Sequence, residues 1–292
     1  MRDYIELTKP RITWLILMST GIGYFFGLPQ GTGWWAFLTS VNVVSLLHTI
    51  FGTALMASGT AALNQWYERE ADRRMKRTAR RPLPAGRITA GRALAFGVVL
   101  SLIGFAELAL GVNLLCGSVG LFTLISYLFL YTPMKQRTWW STTVGAIPGA
   151  MPPMIGYAAA AGSITRESLV LFAILFLWQF PHFYSIAWMY KEDYARAGIR
   201  MLPVVEPDGR STARQIVLYG MALIPVSLVP AVLGMSGPVY AIGALLLGLW
   251  FLYSGVRVAL DRTTLRARRV LVTSVFYLPL IYGLMLLDRP GL

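Results

Sequence analysis

Asn64, Glu68 and Asp72 stand four residues apart in the stretch NQWYEREAD. On a helix each step of four turns the side-chain direction by only ~40°. The three side chains therefore share one stripe. Two carboxylates and an amide oxygen in register form a hard-oxygen site. Mg²⁺ accepts such ligands and usually shares them with substrate phosphates. Glu70 lies off the stripe and reads as solvated. Basic residues follow at once: Arg73, Arg74, Lys76, Arg77, Arg80 and Arg81, ahead of Pro82-Leu83-Pro84. An ion-pair network at a membrane edge would explain the basic run. It explains the acidic stripe less well, because carboxylates at the end of an apolar helix are costly and need partners.

A second cluster closes a later apolar run, with Tyr190, Lys191, Glu192, Asp193 and Tyr194 followed by Arg196, Gly198 and Arg200. Between the two, Tyr131 and Lys135 form a YxxxK pair. Three helix ends thus carry phosphate donors or acids on one side. Such a rim suits a metal-bridged diphosphate, with a greasy space between helices for an apolar tail.

The elements that position these groups follow from composition. Of 292 residues, 56% are hydrophobic and 13% are charged. Average proteins are about 25% charged, and a soluble domain this poor in charge could not cover its surface. Apolar runs fall at 11–28, 41–65, 92–111, 113–132, 141–161, 168–190, 213–233, 237–256 and 270–287, each near the ~20 residues of a transmembrane helix. The first follows Arg2, Lys9 and Arg11 but lacks a clean cleavage site, so it reads as a retained helix. Pro148, Pro152 and Pro153 predict that the fifth is broken and lines a cavity. All but two of the 26 Lys and Arg residues, Arg166 and Arg289, fall on the side of the N-terminus and the even-numbered loops. The positive-inside rule puts that side in the cytoplasm. The expected fold is all-α and integral to the membrane. It is a single polytopic domain over 1–292, with about nine transmembrane helices around a central cavity and a cytoplasmic N-terminus. The lipid bilayer is its surrounding, and no soluble module remains to carry nucleic acid despite a net charge of +13. Cys116 is the only cysteine, which excludes a disulfide framework and reads as packing.

The Asn64/Glu68/Asp72 pattern with KRTARRPLP resembles the first signature of the UbiA-type intramembrane prenyltransferases. NQWYERE with MKRTARRPLPAGRI, YTPMKQRT, GAIPGAMPPMIGY and WQFPHFYSIAWMYKEDYARAGIRMLPVV, in that order, are similar to the haem-modifying branch of that family and cover most of residues 1–210. The resemblance implies transfer of a farnesyl group from farnesyl diphosphate to a vinyl group of protohaem IX, with addition of water. Protohaem is then a substrate and not a prosthetic group, and Mg²⁺ is the cofactor. It assigns Glu68 and Asp72 to the metal with support from Asn64, and Asp193 to the metal from the second motif. Lys135 with Glu68, Asp72 and Asp193 forms the catalytic set. Arg77, Lys135 and Lys191 become diphosphate donors with Tyr131 as hydroxyl partner, and Lys76 and Arg81 further contacts. Where many relatives carry two aspartates four apart, this chain has Tyr190 and Tyr194, and Glu68 replaces a usual aspartate.

A haem substrate gives the two histidines a candidate role. His182, in QFPHF, reads as a haem contact or as a partner of a backbone carbonyl freed by Pro181. His48, in the outer half of the second run, is the weaker haem candidate. The implied location is the inner (plasma) membrane, with the site opening to the cytoplasm and a haem-A-forming synthase as a neighbouring partner. Competing readings are a prenyltransferase with an aromatic or quinone-precursor acceptor, an anion transporter and an assembly subunit. Transport sites lie near the bilayer midplane, whereas these ionisable clusters lie at helix ends.

Overall fold

A computed structural model describes residues 1–32, 38 and 40–291. All of the regular structure among them is helical: α1 (Arg2–Leu7), α2 (Pro10–Gly27), α3 (Ser40–Arg74), α4 (Ala90–Gly111), α5 (Leu114–Ile125), α6 (Ser141–Gly149), α7 (Pro152–Ala161), α8 (Arg166–Met189), α9 (Lys191–Arg196), α10 (Leu202–Val205), α11 (Arg210–Val232), α12 (Pro238–Leu260) and α13 (Thr264–Leu287). A π-helical segment, Ser126–Tyr131, continues α5 into one short turn, Thr132–Met134.

Among the described residues, seven helical stretches are long and apolar enough to cross a bilayer: Val41–Arg74, Ala90–Gly111, Leu114–Met134, Arg166–Met189, Arg210–Val232, Pro238–Leu260 and Thr264–Leu287. The other two apolar runs of the sequence coincide with the 18-residue α2 and with the broken pair α6 and α7. The break after Gly149 has a local cause. Pro152 and Pro153 lack the N–H groups that would continue the ladder from α6. The division between α4 and α5 is equally local. The Asn113 side chain accepts from the Cys116 N–H at 2.8 Å, starting α5, and donates to the Ala158 carbonyl at 3.0 Å, tying that start to α7.

Small residues let backbones touch where the core is tightest. A Cβ on Gly23 would lie 1.9 Å from the Pro153 oxygen, and one on Gly156 would lie 1.8 Å from the Thr20 oxygen. α2 and α7 are thus in direct main-chain contact, the arrangement small residues permit between membrane helices. At the far end of the molecule from the acidic stripe, the buried Arg289 guanidinium donates to the carbonyls of Phe25, Leu28 and Pro29, the last two at 2.8 and 3.2 Å. It thereby adds charged donors to the carbonyls that follow the last turns of α2.

α3 decides where the chemistry sits. Its 35 residues span about 50 Å at ~1.5 Å per residue, well beyond the ~30 Å hydrocarbon core. The apolar run to residue 65 therefore continues as helix into NQWYEREAD, and the carboxylates project from the end of a rigid rod.

Candidate active site

The pocket at the end of α3 is assembled from non-local pieces. α1 lies across α3 because Gln65 donates to the Leu7 carbonyl at 2.9 Å and Arg87 pairs with Asp3 and, at 2.8 Å, with Glu6. Leu7, Ala62, Leu83, Ile88 and Ala93 form a small apolar core beneath this strap. Lys9 then takes a left-handed conformation, with φ of 49°. It is the one non-glycine residue with positive φ among the described residues. The chain reverses there, Pro10 starts α2 at a position where proline is pre-organised, and the Lys9 side chain turns inward. The loop after α3 folds back over it, with the Thr78 hydroxyl donating to the Asp72 carbonyl at 2.8 Å.

The π segment supplies the opposite wall. Pro133 has no N–H, and the Thr132 hydroxyl bonds the Tyr127 carbonyl five residues back at 2.7 Å. Such π turns are frequent at functional sites. This one stacks Tyr127 edge-on against Tyr131 at 5.0 Å between ring centroids and brings Lys135 over both rings, 4.3 Å from Tyr131 and 5.8 Å from Tyr127.

The resulting pocket of about 120 Å³ is lined by Lys9, Asn64, Glu68, Asp72, Arg77, Arg81, Tyr127, Tyr131, Lys135 and Tyr194, with Met75, Ile199 and Met201. The predicted stripe is real: Asn64, Glu68 and Asp72 face the same space, and Asn64 Nδ2 donates to Glu68 Oε2 at 3.0 Å. Each carboxylate has its own cation, with Lys135 2.8 Å from Glu68 and Arg81 2.7 Å from Asp72. Lys9 Nζ donates to Asn64 Oδ1 at 3.1 Å. Burial, followed by the charges of Arg81 and Lys135, brings the Lys9 ammonium down to about 7, against the pull of Glu68 and Asp72. The Arg77 guanidinium donates to the Tyr194 hydroxyl at 3.0 Å and lies over the rings of Tyr190 and Tyr194 at 4.7 and 5.2 Å. Four cationic side chains thus face two carboxylates, and Lys9 and Arg77 have no carboxylate partner among the described residues. The surplus is positive, as an anion site requires.

The second motif is placed differently from its expected ligand role. The Asp193 carboxylate accepts the backbone N–H groups of Lys76 and Arg77, each at 3.3 Å, and pairs with Arg196. It is buried beside the pocket without lining it. Its bonds clamp the loop that presents Arg77. Lys76 contributes its backbone to this clamp, and the Lys191 ammonium lies over Trp188 at 4.4 Å. Neither side chain lines the pocket. His182 is also outside it: its Nδ1 is 2.8 Å from the Ser274 hydroxyl, its ring stacks on Trp178, and Trp178 donates to the Ser274 carbonyl. His48, twenty residues before Glu68 on the same helix and so about 30 Å away, pairs through Nδ1 with Glu107 at 2.6 Å.

Lys9 and Tyr127 are the site residues that the sequence motifs did not mark. Lys9 reads as one of the flanking cations of the first apolar run, and nothing local reveals that its partner lies 55 residues away.

The donors suit a hard divalent ion, since Glu68, Asp72 and the Asn64 oxygen are all oxygen ligands on one wall. No group of three acidic, histidine or cysteine side chains among the described residues could enclose an ion unaided. A cation here would complete its shell with phosphate oxygens, which is how Mg²⁺ is commonly held.

The sequence matches the UbiA prenyltransferase family over residues 16–280. It is 81% identical over the full length of both chains to a protoheme IX farnesyltransferase of Solibacter usitatus. It is 45% identical to one of Koribacter versatilis, covering 99% of this chain and 94% of that one. The fold resembles that of a digeranylgeranylglyceryl phosphate synthase, with a TM-score of 0.79 at 17% identity over 100% of this chain and 99% of that one. It also resembles a UbiA homologue of Archaeoglobus fulgidus solved with GPP and Mg²⁺, with a TM-score of 0.64 at 15% identity over 97% and 99% of the two chains. Long apolar helices, an ion-paired acidic stripe under a cationic rim and a match over nearly the whole length converge: the chain is a multi-pass membrane prenyltransferase that belongs to the UbiA family.

Proposed function

We propose that this enzyme transfers the farnesyl group of farnesyl diphosphate to a vinyl group of protohaem IX, with water completing the hydroxyethylfarnesyl side chain of haem O. The observation that carries the reading is the meeting of Glu68 and Asp72 with Lys9, Arg77, Arg81 and Lys135 around one pocket. The names of its full-length relatives supply the acceptor and the donor.

Glu68 and Asp72, with Asn64 in support, would hold Mg²⁺. Bound there, the ion adds positive charge to the leaving diphosphate. Lys9 and Arg77, which lack carboxylate partners, bind diphosphate oxygens first. Lys135 and Arg81, now paired with Glu68 and Asp72, would be the next donors to the diphosphate oxygens if those carboxylates held the ion. The allylic C–O bond breaks with its electron pair going to diphosphate. The vinyl group adds to the allylic carbon, water adds to the resulting cation and one proton is lost. Preorganised charge in a dry pocket lowers the barrier because it acts where negative charge develops. Tyr131 and Tyr127 form a wall that excludes water until the carbon–carbon bond exists.

A volume of 120 Å³ is below the ~300–1,000 Å³ of ordinary small-molecule sites. It suits a phosphate-sized head. The farnesyl tail and the porphyrin enter between the helices that meet there, with neighbouring helices parting to admit them. His182, whose Nε2 has no hydrogen bond among the described residues, is the proposed haem contact. The paired His48 is not. Asp193 acts as a clamp for the Lys76–Arg77 loop, and Lys76 and Lys191 stand at the rim.

The protein is one polytopic domain of nine membrane-crossing segments, counting α2 and the broken α6–α7 pair, in the inner membrane. Its N-terminus and pocket face the cytoplasm, as the distribution of basic residues supports. A haem-A-forming synthase would take up the product.

The test is direct. Purified protein in detergent, given protohaem, farnesyl diphosphate and Mg²⁺, should yield a haem heavier by one farnesyl group and one water. Unmodified haem under conditions where the protein is folded and both substrates bind would overturn the proposal.

A further inference from the structure

A cavity of about 470 Å³ opens between the carboxyl end of α12 and the amino end of α13, and shares no residue with the acidic pocket. Four arginines line it: Arg257 from α12, and Arg266, Arg268 and Arg269 from α13. Arg266 is 3.3 Å from Asp261. The other three form no ion pair among the described residues. Among the described residues no carboxylate lines the space. The first N–H groups of α13 are partly served by the Thr263 hydroxyl, so the charge that faces the cavity comes from side chains.

The lining changes character with depth. Both helices are long and apolar enough to cross a membrane. Seven residues before Arg257, about 10 Å deeper along the helix, the cavity is walled by Trp250, which is 42% exposed. Val272, 47% exposed, lies one turn beyond Arg269. Tyr253 stands between the two levels, where amphipathic rings settle at membrane interfaces. Guanidinium groups above and apolar wall below match a molecule with an anionic head and hydrocarbon chains. Basic pockets between membrane helices bind such headgroups. A metal-borne diphosphate is a poorer fit, because there is no acid to share its metal. Arginine forks suit a single phosphodiester bidentately.

We infer that this cavity is a binding site for the headgroup of an anionic phospholipid of the phosphatidylglycerol type, with its acyl chains along Trp250 and Val272. The lipid neutralises the otherwise unpaired arginines and ties the α12–α13 hairpin to one leaflet. The same helix α13 carries Ser274, the partner of His182, so the lipid steadies an element that borders the proposed haem contact. This site stands independently of the proposed reaction.

Native mass spectrometry of the full-length protein in detergent reads it without any activity assay. Dioleoyl-phosphatidylglycerol should remain bound as a single adduct at a concentration at which dioleoyl-phosphatidylcholine does not. The Arg268→Gln/Arg269→Gln pair, on exposed residues, should lower retention by on the order of tenfold, while lipid-free thermal stability stays at the parent value. Arg257→Gln, on the other helix, should also reduce it. Arg262→Gln, a neighbouring arginine outside the cavity, should leave it unchanged. Equal retention of the two lipids by the parent protein, undiminished retention by the double variant, or an equal loss in Arg262→Gln would overturn the site. So would full displacement by millimolar inorganic phosphate, since the cavity would then recognise the bare anion and not the lipid.

Discussion

The Lys135 ammonium sits 2.8 Å from the Glu68 carboxylate, across the pocket wall formed by the π turn. Both side chains are largely withdrawn from solvent. Such a pair is a weak source of stability, because desolvation offsets most of the attraction. It is better understood as a preset switch: an anion can take the lysine and a divalent cation can take the glutamate without either charge having to be buried afresh.

Exchange of Glu68→Gln or Asp72→Asn should therefore remove a proposed metal ligand while keeping shape. Farnesylation should fall by on the order of 10²-fold or more. In Glu68→Gln the orphaned Lys135 should also lower thermal stability, measured in detergent without substrate. Chelation of divalent ions should silence the parent enzyme and be reversed by added Mg²⁺. Variants with near-parental turnover would remove both residues from the metal site.

Lys9→Met tests the buried cation that the motifs did not reveal. The ammonium pays a desolvation cost and has an amide, not a carboxylate, as its hydrogen-bond partner. Its removal should leave thermal stability equal or higher, since burial outweighs the attraction of Glu68 and Asp72 for its charged form. The KM for farnesyl diphosphate should rise by about tenfold, in line with ~1.5–3 kcal/mol for a hydrogen bond to a charged group. An unchanged KM would limit Lys9 to a structural role in the chain reversal.

Tyr194 holds Arg77 by its hydroxyl and by its ring. Tyr194→Phe keeps the ring and should raise the KM for farnesyl diphosphate about five-fold, the worth of a ~1 kcal/mol hydrogen bond. Tyr194→Leu should raise it further. Equal effects of the two would assign no role to the aromatic face.

Gly156→Ala probes the α2–α7 contact. A methyl group placed 1.8 Å from the Thr20 oxygen cannot be absorbed by rotating a side chain, so the helices must separate. The expected loss is about 1–3 kcal/mol, read as a lower melting temperature in detergent. Gly21→Ala, where nothing lies within 4 Å, should be neutral or slightly stabilising and serves as its control.

The sequence revealed what helical periodicity and hydropathy encode. The stripe of Asn64, Glu68 and Asp72 was legible because three side chains four apart must share a face once the backbone is helical. The break at Pro152 and Pro153 was legible because proline removes donors, and the turn at Asn113 fell where the two apolar runs were divided. Contacts between distant segments were not legible. Asp193 carries the second motif's acid, yet its oxygens serve the N–H groups of residues 76 and 77, and no local pattern announces a bond across more than a hundred residues. Tyr190 and Tyr194, which the resemblance set against a pair of aspartates common in the wider family, gain a physical meaning only with the fold. They grip Arg77, so an arginine occupies a region that a second acidic pair would otherwise serve. The inward turn of Lys9 depends on a left-handed backbone that a lysine rarely adopts and that the strap of α1 enforces.

Arg289 joins the last turn of the molecule to the carbonyls at the end of its second helix. The carboxyl end of α2 is thus held by a side chain 261 to 264 residues further along the sequence. Loss of that guanidinium should therefore loosen one end of α2 while the pocket at its other end, where Lys9 meets Asn64, stays assembled.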